Sequence, residues 1–149
     1  MVVSVFFFVL LQTIEHQSKM KKVILSALAA TMLLTACQES LEERCAREAK
    51  EYTAKHCPAQ IAQDIVMDSM SFERQTLTIG YHYTLSGNLD DSLVINRNNP
   101  RESLLLEVKN STNLKLYKDE GYSFRYVYYS AKNSGTKLFE ATFRKNDYR

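Results

Sequence analysis

The sequence predicts an α+β domain: an N-terminal helix and a middle helix packed on one face of a roughly four-stranded antiparallel sheet. Three observations lead there. "ESLEERCAREAKEYTAKH" is rich in the helix formers Ala, Glu, Lys and Arg and precedes every strand signal. Two pairs of later segments alternate apolar and polar residues, the period of a half-buried strand. Between the pairs lies a stretch with helix-start signals. The order helix, two strands, helix, two strands points to α+β.

The elements follow in order. Ser40 and Glu43 form a capping box for the first helix, Leu41, Cys45, Ala49 and Tyr52 recur at helical spacing, and Pro58 ends it. "QDIVMDSMSF" places Val66, Met70 and Phe72 at even spacing. "TLTIGYHYTL" sets Leu77, Ile79, Tyr81, Tyr83 and Leu85 against Thr76, Thr78, Gly80, His82 and Thr84. "ERQ" between these segments suits a hairpin turn, and Ser86-Gly87-Asn88 closes the second strand. Asn99 followed by Pro100 marks a helix start, with Leu104, Leu105 and Val108 turned to the core. Asn110-Ser111-Thr112 interrupts that helix, and "NLKLYKDE" reads as a short turn ending at Gly121, with a strand in "LKLY" as the competitor. "YSFRYVYYS" splits into Tyr122, Phe124, Tyr126 and Tyr128 on one face and Ser123, Arg125, Val127 and Tyr129 on the other. "TKLFEATFR" turns Phe139, Ala141 and Phe143 inward, after a hairpin turn at Asn133-Ser134-Gly135.

Composition narrows the function classes. The chain has 149 residues, enough for one domain with targeting sequence, and only four Gly and two Pro, which argues against a disordered or collagen-like chain. Its formal charge of +2 sits entirely in residues 1–36, where Lys19, Lys21 and Lys22 face Glu15 alone. Of 19 basic and 17 acidic residues this leaves 16 of each from Cys37 onward, a balance with no electrostatic pull on nucleic acid.

The N-terminal region holds two apolar runs. The second, Val23 to Ala36, follows Lys21 and Lys22 and spans fourteen residues. A helix of that length reaches ~21 Å, short of a hydrocarbon core of ~30 Å. A basic start, an apolar centre and small residues at the end are the parts of a signal peptide. Leu34-Thr35-Ala36-Cys37 resembles the lipobox of bacterial lipoproteins. The resemblance covers residues 20–37 and implies thiol diacylglycerylation of Cys37, cleavage just before it and acylation of the new amine. Two or three acyl chains hold a protein stably on a bilayer. Gln38, where Asp would retain an enteric lipoprotein in the inner membrane, implies an outer-membrane location, periplasmic or surface. Glu39, Glu42 and Glu43 are read as a favourable helix N-terminus, or alternatively as a surface-export signal. The element order of the mature part also resembles uncharacterised small lipoproteins of gut bacteria, which brings no activity with it.

The domain plan is therefore residues 1–19 as an over-extended start, 20–36 as a lipoprotein signal peptide and 37–149 as a single α+β domain. A hairpin or anchor in residues 1–19 is the alternative.

Chemistry-bearing residues are sparse. Cys45 and Cys57 are candidates for a disulfide after export, yet twelve residues of unbroken helix would separate them by ~18 Å, beyond the ~7 Å a bridge spans. No C-x-x-C, zinc-type His/Cys spacing, G-x-S-x-G, P-loop or G-x-G-x-x-G occurs, so no metal, nucleotide or other cofactor is expected. Most tyrosines fall on the inward faces. His82, Arg125 and Tyr129 share the opposite face, a candidate surface for a protein, peptide or glycan. These residues point to a non-enzymatic binding module tethered through Cys37. The alternatives are an accessory subunit of an envelope complex and, third, a hydrolase-like enzyme. If translation begins at Met20, removing that codon abolishes the processed protein. A normally processed product from a full-length precursor would refute that start.

Overall fold

The computed structural model describes residues 39–149. The expectations placed on residues 1–38, including the signal peptide, Cys37 and Gln38, lie outside the described residues. The described part is α+β, built on a five-stranded sheet in the order β1-β2-β3-β4-β5. In chain order the elements are α1 (Leu41–His56), β1 (Ala59–Ala62), β2 (Ile65–Glu73), β3 (Thr78–Leu85), α2 (Ser92–Arg97), α3 (Pro100–Asn110), α4 (Lys115–Asp119), β4 (Ser123–Ser130), β5 (Lys137–Phe143) and α5 (Lys145–Tyr148).

Two features correct the expected sheet. It has five strands, because Ala59–Ala62 pairs with β2, and it is mixed, because β3 and β4 run parallel. All other neighbours are antiparallel. The parallel pair follows from the connection. Residues 86–122 fold into helices and carry the chain back to the end where β3 began, as a parallel neighbour requires.

Helix α1 forms as its sequence dictates. Ser40 Oγ accepts from the Glu43 N–H at 3.2 Å, and Glu43 Oε2 accepts from the Ser40 N–H at 3.0 Å. Cys45 and Ala49 are its buried residues, whereas Tyr52 at the end of the expected stripe is exposed. Strand β1 covers only Ile65 to Met67 of β2, so the rest of that edge needs another partner. Thr53 of α1 supplies it. Its hydroxyl accepts from the Met70 N–H at 2.8 Å and donates to the Met70 carbonyl at 2.9 Å. A helix hydroxyl thus satisfies both backbone groups of one residue on a strand edge that β1 leaves uncovered.

Strand β2 carries a bulge between Met67 and Ser69. The extra residue, Asp68, reverses the alternation on its N-terminal side. Met67, not Val66, is therefore the buried residue and pairs with Tyr83, while Val66 pairs with Thr84. Leu77 also departs from the expected strand. It adopts a left-handed conformation (φ 48°) in the turn, and β3 starts at Thr78.

Both expected helices meet in one core. Cys45 of α1 and Leu104 and Val108 of α3 pack with Ile79, Phe124, Tyr126, Ala141 and Phe143 from one face of the sheet. Leu105 is packed against the same cluster. Asn99 precedes α3 in a left-handed conformation (φ 46°), and its side chain bonds Glu102 instead of capping the backbone. "LKLY" is helical, in α4, and Tyr117 there donates to Glu48 Oε2 at 2.6 Å, joining α4 to α1. α5 was not expected. Its Tyr148 packs edge-on to Phe124 and donates to the Tyr122 carbonyl at 2.6 Å.

Phe124 is fully buried at the centre of this cluster. Phe124→Ala should cost ~3–5 kcal/mol in urea unfolding, through lost transfer energy and the cavity left behind. A loss under ~1 kcal/mol would contradict a packed core at that position.

Candidate functional site

The face of the sheet opposite the core is polar, and the strand register determines which of its residues meet. Ser71 pairs with Gly80, Gly80 with Arg125, and Arg125 with Thr142, so one row crosses β2, β3, β4 and β5. The next row along β3 and β4 holds His82 and Val127, followed by Thr84 and Tyr129.

Glycine at position 80 is what lets this row close up. A Cβ there would lie 2.5 Å from Ser71 Oγ, 3.2 Å from His82 Nε2 and 3.9 Å from Arg125 Nε. With only hydrogen at that point, Ser71 Oγ reaches His82 Nε2 at 3.0 Å. His82 and Tyr129 lie nearly parallel, their ring planes 14° apart and centroids 6.4 Å apart. The structure therefore brings together all three residues assigned to the candidate binding face, His82, Arg125 and Tyr129. It adds Ser71 and Gly80. Sequence alternation already placed Gly80 on this face, but the contact with Ser71 depends on the pairing of β2 with β3.

The electrostatics are set by partial burial. Burial, and then the charge of Arg125, hold His82 below its ordinary value of 6.5, with Asp68 and Glu140 acting the other way. Near neutral pH the imidazole is therefore uncharged and able to share a hydrogen bond with Ser71 in either direction. Arg125 Nε is buried with no hydrogen-bond partner among the described residues. Val127 beside it is buried as well.

The cysteines contribute no such chemistry. Cys45 and Cys57 are both free. Burial, reinforced by Glu48, pushes the Cys45 thiol up to about 12, which keeps it protonated inside the core. Cys57 is also raised, by burial and then by Asp68. No group of three or more His, Cys, Asp or Glu able to hold a metal occurs among the described residues. No described helix is long and apolar enough to cross a membrane.

The class of protein is now defined: a small α+β domain with helices gathered over one sheet face and a polar cluster centred on Gly80 on the other. The chain belongs to the family described as a domain of unknown function (DUF8479), whose model matches residues 40–139. Its fold is similar to the crystal structure of a protein from Pseudomonas aeruginosa described as secreted, with a TM-score of 0.62 and 18% sequence identity. That similarity covers 75% of this chain and 100% of the other. No curated protein matches the chain.

A depressed histidine makes stability pH-dependent in one direction. The unfolded chain binds the proton more readily, so the contribution of neutral His82 is present above ~6.5 and fades as pH falls through the lower, folded value. NMR titration should place the His82 midpoint below 6.5, and His82→Gln should reduce the loss of urea stability between about pH 7 and pH 5. A midpoint at or above 6.5 would contradict the desolvated environment described for this ring.

Proposed function

We propose that this protein is an envelope lipoprotein, anchored through acylated Cys37, whose domain is a non-enzymatic binding module that presents the polar sheet face. The single observation that carries the binding role is Arg125. Its Nε is buried without an acceptor near Gly80, where Ser71 and His82 also meet. An unsatisfied buried donor of this kind is uncommon in folded proteins and calls for a partner. Arg and Tyr are also residue types enriched where proteins meet ligands and one another.

The anchor reading rests on Leu34-Thr35-Ala36-Cys37 and the basic, apolar and small-residue regions before it. The similar Pseudomonas aeruginosa protein, described as secreted, is compatible with an exported domain. Gln38 favours the outer membrane, and a protein, peptide or glycan is the partner class. An accessory subunit with this same face buried against a neighbour is the alternative.

An enzyme is favoured by one observation, the 3.0 Å approach of Ser71 Oγ to His82 Nε2, which is the geometry of a nucleophile and its base. A third group normally orients that base, and His82 has no hydrogen-bonded carboxylate among the described residues. The binding role therefore stands ahead.

Cells fed a labelled fatty acid should acylate the protein, and Cys37→Ala should lose the label while unprocessed precursor accumulates. Persistent label on that variant would overturn the anchor. Crosslinked envelopes should yield partners that Arg125→Ala combined with Tyr129→Ala no longer captures. An unchanged set of partners would remove this face from consideration.

A further inference from the structure

The polar face deepens at one end, where β3 and β4 begin and β2 and β5 finish. There a pocket of about 200 Å³ is lined by Arg125 and Arg144, by the hydroxyl residues Thr78, Ser123 and Thr142, and by Glu73 with Thr76. Register again explains the assembly. Glu73 pairs with Thr78, Thr78 with Ser123, and Arg125 with Thr142, so four strands each contribute to the floor or wall. Arg144 follows directly after β5.

Charge and hydrogen bonding leave this pocket incomplete. Its one carboxylate, Glu73, already accepts from Thr76 Oγ1 at 2.7 Å. Neither Arg125 nor Arg144 enters an ion pair among the described residues. The Arg125 side chain reaches the pocket from a root buried toward Gly80, where its Nε has no acceptor among the described residues. Two planar guanidinium groups with flanking hydroxyls are the donor set that carboxylates and phosphates select. The volume suits a small molecule or a single terminal group, not an extended chain.

We infer that this pocket is an oxyanion site, taking the carboxylate or phosphate group of a small ligand between Arg125 and Arg144. Glu73, on the β2 side, opposes that charge and limits affinity for a plain anion. This inference rests on the polar face being a binding surface and names the chemistry one end of it selects.

The test uses the processed protein purified in detergent, titrated separately with inorganic phosphate and with succinate while backbone amide signals are followed by NMR. Saturable shifts should appear at Thr78, Ser123, Arg125 and Thr142 with at least one of the two. A response to phosphate alone assigns a phosphate-bearing ligand, and a response to succinate alone a carboxylate. Arg144→Gln, at an exposed position that folding tolerates, should weaken binding about tenfold, the value of a hydrogen bond between charged groups. Glu73→Gln should strengthen it. No saturable shift with either anion, or equal affinity in wild type and Arg144→Gln, would overturn the site. Anion binding without partner capture would fault the partner reading alone. Partner capture without anion binding would fault this pocket alone.

Discussion

The parallel pairing of β3 with β4 is the constraint on which the rest of the structure depends. It places Thr78 beside Ser123, Gly80 beside Arg125 and His82 beside Val127 in the middle of the sheet. Strands paired in the same direction must be joined by a long crossover, and residues 86–122 provide it as helices. Those helices bring Leu104, Val108 and Tyr117 into the core. A single pairing thus determines where the core is covered and which polar residues share the other face.

The two faces then acquire opposite physical characters. On the core face, cross-strand aromatic pairs line up along β3 and β4: Tyr81 with Tyr126 at 5.0 Å and Tyr83 with Tyr128 at 5.1 Å between centroids. Burial drives the phenol groups of Tyr81, Tyr83 and Tyr126 well above their ordinary range, so they stay protonated near neutral pH and serve the packing of this face. On the polar face no such packing satisfies Arg125, and Gly80 leaves room for Ser71, His82 and Arg125 to approach one another. The hydrophobic cluster lies on one side of the sheet, and an unmet donor remains on the other.

Much of this was legible in the sequence, for reasons that can be named. The capping box of α1 and the two-residue periods of β3, β4 and β5 are local signals, and local structure obeys them. The same periods put His82, Arg125 and Tyr129 on one face. Strand direction was not legible, because alternation reads identically in parallel and antiparallel sheets. The stretch between β3 and β4 was long enough for a crossover, and that length was the available clue. The bulge at Asp68 hid the inward turn of Met67, since one inserted residue reverses a period of two. Strand β1, four residues long with three of them exposed, carries no apolar pattern to detect. Arg144 and Glu73 lie at strand ends, and only the register shows that they border the same pocket as Arg125.

The direction of that central pairing is open to direct measurement. Interstrand NOEs between amide and Cα protons in isotope-labelled protein should connect the Thr78 end of β3 to the Ser123 end of β4, and Leu85 to Ser130. Contacts running the opposite way, from Thr78 to Ser130 and from Leu85 to Ser123, would show an antiparallel pair. They would break the juxtaposition of Gly80 with Arg125 on which the candidate site is built.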